Sequence, residues 1–305
     1  MKNKYILNEK PIVELLSQNK IVVVDGGARG KVFPPLNQIN TEIIKILRFE
    51  PEPDADIIHH ANDDITFNNG LWHSKGKIDL NIAIEPSASS IYPFNIELQK
   101  HIDPHLKVRK TKKTIKIDVI SLDELIKENN SLKIDFIKLD VHGAEYDVLK
   151  GANKVLESTL GLLIESWLIP IHKNQKIRAH VESLVYESGF YVFEEYKRAN
   201  WARLKERFSK SQTVAMDTLY FKDPILDKNI KDQTDAIKII GLTNLFNHNA
   251  YAVQLAEYFC KNKVIDKKYY DIIIKNINKN NRPTLNSLVG KFEKVISRIS
   301  SCSFR

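Results

Sequence analysis

Short apolar runs alternate with segments of helical periodicity along most of this chain. Residues 21–24 form a β-branched run that stops at Asp25, and residues 136–139 and 160–167 repeat the pattern. Such runs, bounded by turn residues, are typical of strands buried on both faces of a parallel sheet. The alternation of these strands with helices predicts an α/β fold with a doubly wound, Rossmann-like sheet.

Turn residues and helix caps set the remaining boundaries. Further strands are predicted over residues 43–50, 65–71, 77–84, 191–195 and 214–222, and helices over 11–19, after Ser121, after Gly143 and over 179–188. Lys75-Gly76 is predicted to form a hairpin turn between two of these strands. The last two strands have no helix between them, which predicts an antiparallel edge strand.

The character of the chain changes after Asp223-Pro224. Residues 224–305 contain 14 Lys/Arg and 7 Asp/Glu, a net charge of +7. Residues 1–223 contain 32 Lys/Arg and 31 Asp/Glu, a net charge of +1. Most of the total net charge of +8 therefore lies in the last segment. We predict a doubly wound domain over 1–223 and a small, basic, helical segment over 224–305. This segment is either a solvated surface or a contact for a membrane surface, another anionic partner or a second copy in a homodimer.

Composition points to an ordinary cytoplasmic protein. Two cysteines, Cys260 and Cys302, do not suit a disulfide scaffold. No apolar segment typical of a signal peptide follows the basic start, and no apolar run approaches the ~18 residues of a membrane span.

In a doubly wound sheet, ligands bind beyond the carboxyl ends of the strands. The first such loop, residues 25–30, reads Asp-Gly-Gly-Ala-Arg-Gly. A phosphate loop is excluded by Asp25 and Val32, and a dinucleotide fingerprint by Ala28 and Arg29. An acidic residue followed by glycines fits S-adenosylmethionine, because glycine lets the backbone approach the methionine part and Asp25 can hold its cationic group.

Glu50 ends the second strand, where an acidic residue accepts hydrogen bonds from ribose hydroxyls. Trp72 is expected either to flank the adenine or to be a core or rim aromatic. The expected cofactor-binding residues are Asp25, Gly26, Gly27, Ala28, Glu50, Leu71, Trp72 and Asp140.

Residues 138–145 read Lys-Leu-Asp-Val-His-Gly-Ala-Glu, and residues 149–152 read Leu-Lys-Gly-Ala. This stretch resembles the FkbM-type methyltransferases, whose typical pattern is Lys-x-Asp-Val-Glu-Gly-Ala-Glu followed by Leu-x-Gly-Ala. The resemblance extends over about residues 20–222 and includes residues 24–28, 49–51 and 121–125. It implies transfer of a methyl group from S-adenosylmethionine to a hydroxyl of a sugar, glycan or glycolipid, as in polysaccharide biosynthesis.

His142 stands where that family usually has Glu. An alcohol loses its proton as it attacks, so a base should help, and His142 has a suitable pKa. We predict catalytic roles for His142, Asp140 and Glu145. Alternatively, His142 is a loop residue or helix cap without a chemical role, and Glu145 only complements the dipole of the helix near whose start it lies. A third alternative is that Asp140, His142 and Glu145 are partial ligands of a divalent cation. We expect no bound metal.

Other polar residues near the predicted strand ends are weaker candidates. Glu165 and His172 lie beyond the next strand, where they would meet the acceptor. The polar loop over residues 87–92 is expected to cover the cofactor, to contact the acceptor, or to be an ordinary surface loop.

Two other functions compete with this prediction. An RNA methyltransferase is disfavoured by the near-neutral residues 1–223, so we expect no nucleic-acid partner. A non-catalytic binding or assembly protein that keeps the cofactor fold is the second alternative.

Overall fold

The computed structural model describes residues 4–102, 106–129, 132–201 and 210–280. Its strands are β1 (Ile21–Gly26), β2 (Ile44–Phe49), β3 (Ile65–Phe67), β4 (Gly70–Leu71), β5 (Gly76–Ala83), β6 (Thr111–Ile120), β7 (Phe136–Leu139), β8 (Gly161–Trp167), β9 (Phe190–Trp201) and β10 (Gln212–Lys222). Its α-helices are α1 (Lys10–Leu16), α2 (Ile96–Ile102), α3 (Leu106–Arg109), α4 (Leu122–Glu128), α5 (Glu145–Lys150), α6 (Asn153–Ser158), α7 (Arg178–Glu187), α8 (Pro224–Asp227), α9 (Gln233–Leu245), α10 (Asn249–Lys261) and α11 (Lys267–Asn280).

The larger sheet has the strand order β3-β2-β1-β7-β8-β10-β9. The first five strands are parallel to one another, whereas β10 is antiparallel to both β8 and β9. This confirms the predicted α/β class and the antiparallel pair at one edge. The reversed strand, β10, lies one position inside that edge, and β9 is outermost.

The predicted hairpin around Lys75-Gly76 is wrong. The strand predicted over 65–71 is divided between the two sheets, because β3 joins the larger sheet and β4 joins a smaller sheet of order β4-β6-β5. The antiparallel partner of β5 is β6, which lies farther along the chain. Local turn residues cannot identify a partner at that distance, and the sequence patterns did not predict β6.

Local signals set several helix boundaries correctly. The hydroxyl of Ser121 accepts the Glu124 N–H at 3.1 Å, and the Glu124 carboxylate accepts the Ser121 N–H at 3.2 Å, which is a capping box at the start of α4. The single helix predicted after Gly143 is instead two short helices, α5 and α6, separated at Gly151. A Cβ there would lie 2.6 Å from the Trp72 backbone oxygen, so this close approach requires glycine.

Helices cover both faces of the larger sheet. One face packs against α4 to α7 and the other against α1 and α9 to α11, which share one hydrophobic cluster with Phe136 and Phe221 of the sheet. A buried ion pair joins Lys238 of α9 to Asp135 before β7, at 2.8 Å. The helices after residue 223 therefore complete the core of the sheet.

The boundary at residues 223/224 stays a prediction. The end of the predicted helical segment, residues 281–305 with Cys302, lies outside the described residues. Within the described ranges, no helix combines the length and the apolar character that a membrane span requires.

Candidate functional site

A cavity of about 300 Å³ lies beyond the carboxyl ends of β1, β2 and β7. This is where a doubly wound sheet binds its ligands, and the volume is at the lower end of the range for small-molecule sites. Six of the predicted site residues line it together: Asp25, Gly27, Glu50, Leu71, Asp140 and His142. The structure thus brings together residues that are spread over 118 positions of the chain.

Asp25 faces this cavity, but two internal cations hold its carboxylate. Its Oδ2 lies 3.2 Å from Nη2 of Arg48 and its Oδ1 lies 3.1 Å from Nζ of Lys138. The prediction that Asp25 meets a cationic part of the ligand is therefore modified, because much of its charge is already compensated. The sequence analysis assigned no role to Arg48 or Lys138, although each is a cation within an apolar strand, and that was the available signal.

Arg48 organises the first loop. Its side chain is fully buried, and Nη2 also donates to the carbonyls of Ala28 at 2.7 Å and Gly30 at 3.0 Å, while Nη1 donates to the Ile58 carbonyl. Ala28 is buried and does not line the cavity, so its observed contact is this carbonyl. One guanidinium thus donates to three loop carbonyls and joins the first loop to Ile58.

Gly27 connects the first loop to the loop after β7. Its φ is +74°, and a Cβ at this position would lie 1.9 Å from the backbone oxygen of Asp140. The neighbouring Gly26 does not line the cavity, but its carbonyl accepts the Asp140 N–H at 3.0 Å. These contacts hold the backbone of Asp140 against the first loop, and they require glycine at position 27.

Glu50 lies immediately after β2 with a half-buried carboxylate that lines the cavity. One carboxylate oxygen accepts the backbone N–H of Glu52 at 3.1 Å. Burial raises the pKa of Glu50 above its ordinary value, and the hydrogen bond from Glu52 and the charge of Arg29 offset this only in part. Its position is the one that the sequence analysis expected for a ribose-binding carboxylate.

The smaller sheet gives the cavity an apolar wall. Leu71 from β4, Leu80 from β5 and Ile117 from β6 line it, as does Phe49 at the end of β2. Trp72, the other candidate for the adenine, does not line the cavity. Its ring packs edge-to-face on Tyr92 with the centroids 6.1 Å apart, so the alternative of a core or rim aromatic fits its position. Ile117 was missed because β6 was not predicted, and Leu80 was missed because the position of its predicted strand next to the cavity depends on pairing with β6.

The serine-rich loop forms another side of the cavity. Ser87, Ser89, Ser90 and Ile91 line it. The hydroxyl of Ser90 donates to the His142 backbone oxygen at 2.7 Å. This loop is therefore attached to the loop that carries His142, and it is more than an ordinary surface connection.

Asp140 and His142 line the cavity, and Glu165, which does not line it, lies beside them. Each offers one ligand atom, and these atoms lie within 4.8 Å of one another. Nδ1 of His142 is 3.3 Å from Oε2 of Glu165, which also accepts the indole N–H of Trp167 at 2.8 Å. We call these three residues the Asp140–His142–Glu165 cluster.

The backbone and the pKa of His142 both depend on its surroundings. Its φ is +53°, which is uncommon for a residue other than glycine. Burial by itself lowers the pKa of the imidazole, but the Glu165 carboxylate more than offsets this, so that the pKa lies above its ordinary value. The structure thus gives His142 an acidic neighbour in Glu165, which the sequence predicted only as a contact of the acceptor.

Glu145, the third predicted catalytic residue, lies beneath the loop and does not line the cavity. Its buried carboxylate accepts the backbone N–H groups of Val141 and Gly143 at 3.0–3.1 Å. Burial, together with the charge of Glu165, raises its pKa. Its contacts are those of a residue that holds the shape of the 140–143 loop.

His172 is buried behind His142, with the two ring centroids 6.1 Å apart. Burial and the nearby charge of His142 lower its pKa to about 3. Its ring does not line the cavity, so the structure does not place it against an acceptor.

Comparison with known proteins agrees with this architecture. The model of the methyltransferase FkbM domain matches residues 28–191, more than half of the chain. "Methyltransferase 1" of Beauveria bassiana (strain ARSEF 2860) is 26% identical over 193 residues, which cover 59% of this chain and 75% of that protein. "Methyltransferase sdnD" of Sordaria araneosa is 27% identical over 208 residues, which cover 59% of this chain and 76% of that protein.

A crystal structure of methyltransferase FkbM from Methylobacillus flagellatus KT aligns with a TM-score of 0.37 and 13% identity. The alignment covers 66% of this chain and 43% of that one. The match to the domain model identifies the family, and it covers the residues that line the cavity except Asp25 and Gly27. The chain belongs to the FkbM family of methyltransferases.

Proposed function

We propose that this methyltransferase transfers a methyl group from S-adenosylmethionine to a hydroxyl of a sugar, glycan or glycolipid. The observation that carries the proposal is the cavity itself, in which Glu50 and the first loop share one space with Asp140 and His142. A cofactor bound by the former would have its reactive end near the latter.

The cavity has the chemistry that S-adenosylmethionine needs. Leu71, Leu80 and Ile117 form an apolar surface suited to adenine, and the Glu50 carboxylate next to it suits a ribose diol. The acidic residues at the other end suit a positively charged sulfonium. S-adenosylmethionine supplies an activated methyl group on that sulfonium, so the protein mainly has to align the two partners.

His142 is the residue that we propose for activating the acceptor hydroxyl. In the transfer, the bond from sulfur to the methyl carbon breaks, a bond from that carbon to the acceptor oxygen forms, and the hydroxyl proton leaves. His142 lines the cavity and has Glu165 at 3.3 Å, so its imidazole is held at the place where this proton must be removed. Asp140 is close enough to orient the same hydroxyl.

A polyhydroxylated acceptor suits the rim of the cavity. Ser87, Ser89 and Ser90 line one side and Lys31 and Glu52 another, so hydrogen-bonding groups lie on two sides of the cavity. The near balance of charge in residues 1–223 favours such an acceptor over RNA. In this proposal the enzyme acts in the cytoplasm in surface-polysaccharide synthesis, and the basic segment over 224–305 contacts an anionic partner or a membrane surface.

The proposed function is tested by S-adenosylmethionine titration and an acceptor screen with a labelled methyl donor. We expect binding by calorimetry, and label transfer to sugars or glycolipids but not to RNA. Transfer to RNA alone would support the competing methyltransferase function. Binding without transfer to any acceptor would support a binding or assembly protein, and absence of binding would contradict the proposal altogether.

Replacing Glu50 with alanine should weaken S-adenosylmethionine binding roughly 10–100-fold, because each hydrogen bond to a charged group contributes about 1.5–3 kcal/mol. Calorimetric titration measures this change, and circular dichroism checks that the fold persists. Glu42→Ala, at an exposed position before β2, is the matched control and should bind normally. Equal affinity of Glu50→Ala and the unaltered protein would contradict the ribose-binding role.

A further inference from the structure

The Asp140–His142–Glu165 cluster combines side chains from two neighbouring strand ends. Asp140 and His142 follow β7, Glu165 lies within β8, and these two strands are parallel neighbours. Their ligand atoms already lie within 4.8 Å of one another, so small side-chain movements would bring all three to one ion. The sequence spacing alone could not indicate this set, because Glu165 comes from the next strand.

One buried nitrogen of the cluster makes no hydrogen bond. Nδ1 of His142 lies 3.3 Å from Oε2 of Glu165, an ion-pair distance, but the two atoms do not form a hydrogen bond. Buried nitrogens of this kind normally make a hydrogen bond, and its absence calls for an explanation. A cation between the nitrogen and the two carboxylates would satisfy all three groups at once.

Lys138 does not take the place of this cation. Lys138 lies 3.8 Å from Oδ2 of Asp140, but its Nζ is closer to Asp25 Oδ1 and to the Gly27 carbonyl, each at 3.1 Å. Lys138 therefore belongs mainly to the first loop. Asp140 remains half-exposed and faces the cavity, where an ion can reach it from solvent.

We propose that Asp140, His142 and Glu165 bind one divalent cation, which holds the acceptor hydroxyl in the cavity. Two carboxylates and one imidazole are ligands that Mn²⁺ accepts readily, and the cluster has no thiolate that would favour a softer metal. Three protein ligands leave coordination positions for water and for an acceptor oxygen.

This role for the cation rests on the proposed function, and it specifies how the hydroxyl is activated. A coordinated hydroxyl loses its proton more easily because the cation stabilises the negative oxygen. In this refinement of the proposed function His142 is a nitrogen ligand instead of the base, and the hydroxyl proton passes to water, which reaches the half-exposed Asp140 from solvent. The loop that carries it is held by Ser90 and Glu145, so the ligand is already oriented before an ion arrives.

The test is a Mn²⁺ titration of the chelator-treated full chain, without S-adenosylmethionine or acceptor. Calorimetry and loss of the free Mn²⁺ signal in electron paramagnetic resonance should both report one site. Asp140→Asn and Glu165→Gln should each weaken this binding at least roughly 10–100-fold, the range seen when even supporting groups of metal sites are removed. Glu187→Gln, at an exposed position on α7, should bind Mn²⁺ normally.

Two results would overturn the proposal: no Mn²⁺ binding by the unaltered protein, or binding that is unchanged in both cluster variants, which would indicate an adventitious ion only. Asp140 is half-exposed, so Asp140→Asn remains informative even where Glu165→Gln fails to fold. A separate S-adenosylmethionine titration distinguishes the two proposals. Cofactor binding without Mn²⁺ binding contradicts the cation site alone, and Mn²⁺ binding without cofactor binding contradicts the proposed function.

Discussion

Replacing Arg48 with methionine should lower the free energy of unfolding by about 3–5 kcal/mol, the usual cost of removing one partner of a buried ion pair. Methionine keeps much of the volume but removes every hydrogen bond from the guanidinium. Asp25 loses one of its two cations, and the carbonyls of Ala28, Gly30 and Ile58 lose the guanidinium as a donor, although Gly30 keeps the Ile58 N–H. Urea denaturation followed by circular dichroism measures the change.

Lys116→Met is the control, because it also removes the cation of an ion pair but at the surface. Lys116 and Asp79 are 75% and 60% exposed, so this change should alter stability by no more than about 1 kcal/mol. The loss of unfolding free energy in Arg48→Lys should lie between those of Arg48→Met and Lys116→Met, because lysine keeps the charge but not the planar set of donors. A loss below about 1 kcal/mol for Arg48→Met would contradict the organising role assigned to Arg48.

Replacing His142 with asparagine should lower turnover roughly 10²–10⁴-fold, which is the usual contribution of a side chain that handles the reacting proton. Asparagine is the suitable replacement because it tolerates the left-handed backbone at this position, where φ is +53°. The change therefore removes the imidazole without forcing the loop to move. Methyl-transfer assays give kcat, and calorimetry should give an S-adenosylmethionine affinity within a factor of about three, since the cofactor is held elsewhere.

His180→Asn is the matched control for this experiment. His180 is an exposed histidine on α7, outside the cavity, and its replacement should leave kcat unchanged. Full turnover in His142→Asn would remove His142 from the mechanism, as base and as ligand alike. A large loss of cofactor affinity would instead indicate that His142 supports the binding site.

Much of the fold could be predicted because strand burial leaves a direct trace in the sequence. The run over residues 21–24 is β1 and the run over 160–167 is β8, since strands buried on both faces are continuously apolar. The smaller sheet leaves no such trace. Its strand β6 carries many exposed polar residues, so its role as the partner of both β4 and β5 depends on contacts between distant segments.

Part of the candidate site could be predicted, because several of its residues lie where strands end. Asp25, Glu50 and Asp140 end three strands, and parallel strands bring their carboxyl ends to one edge, so these residues were expected together. Glu145 ends no strand, and its inward orientation depends on a loop whose backbone turns through His142 and Gly143. Gly143 indicates a turn, but the neighbouring sequence does not indicate that His142 also has a positive φ or that Glu145 points inward.

The sequence by itself determined the alternation of strands and helices, the glycine-rich first loop and the family motif around Asp140. These are properties of neighbouring residues, and local physical rules connect them directly to structure. The tertiary structure alone decided that Arg48 and Lys138 hold Asp25, and that Glu165 lies beside His142. Each of these contacts joins residues from different strands, and their proximity arises only from the order of strands in the folded sheet.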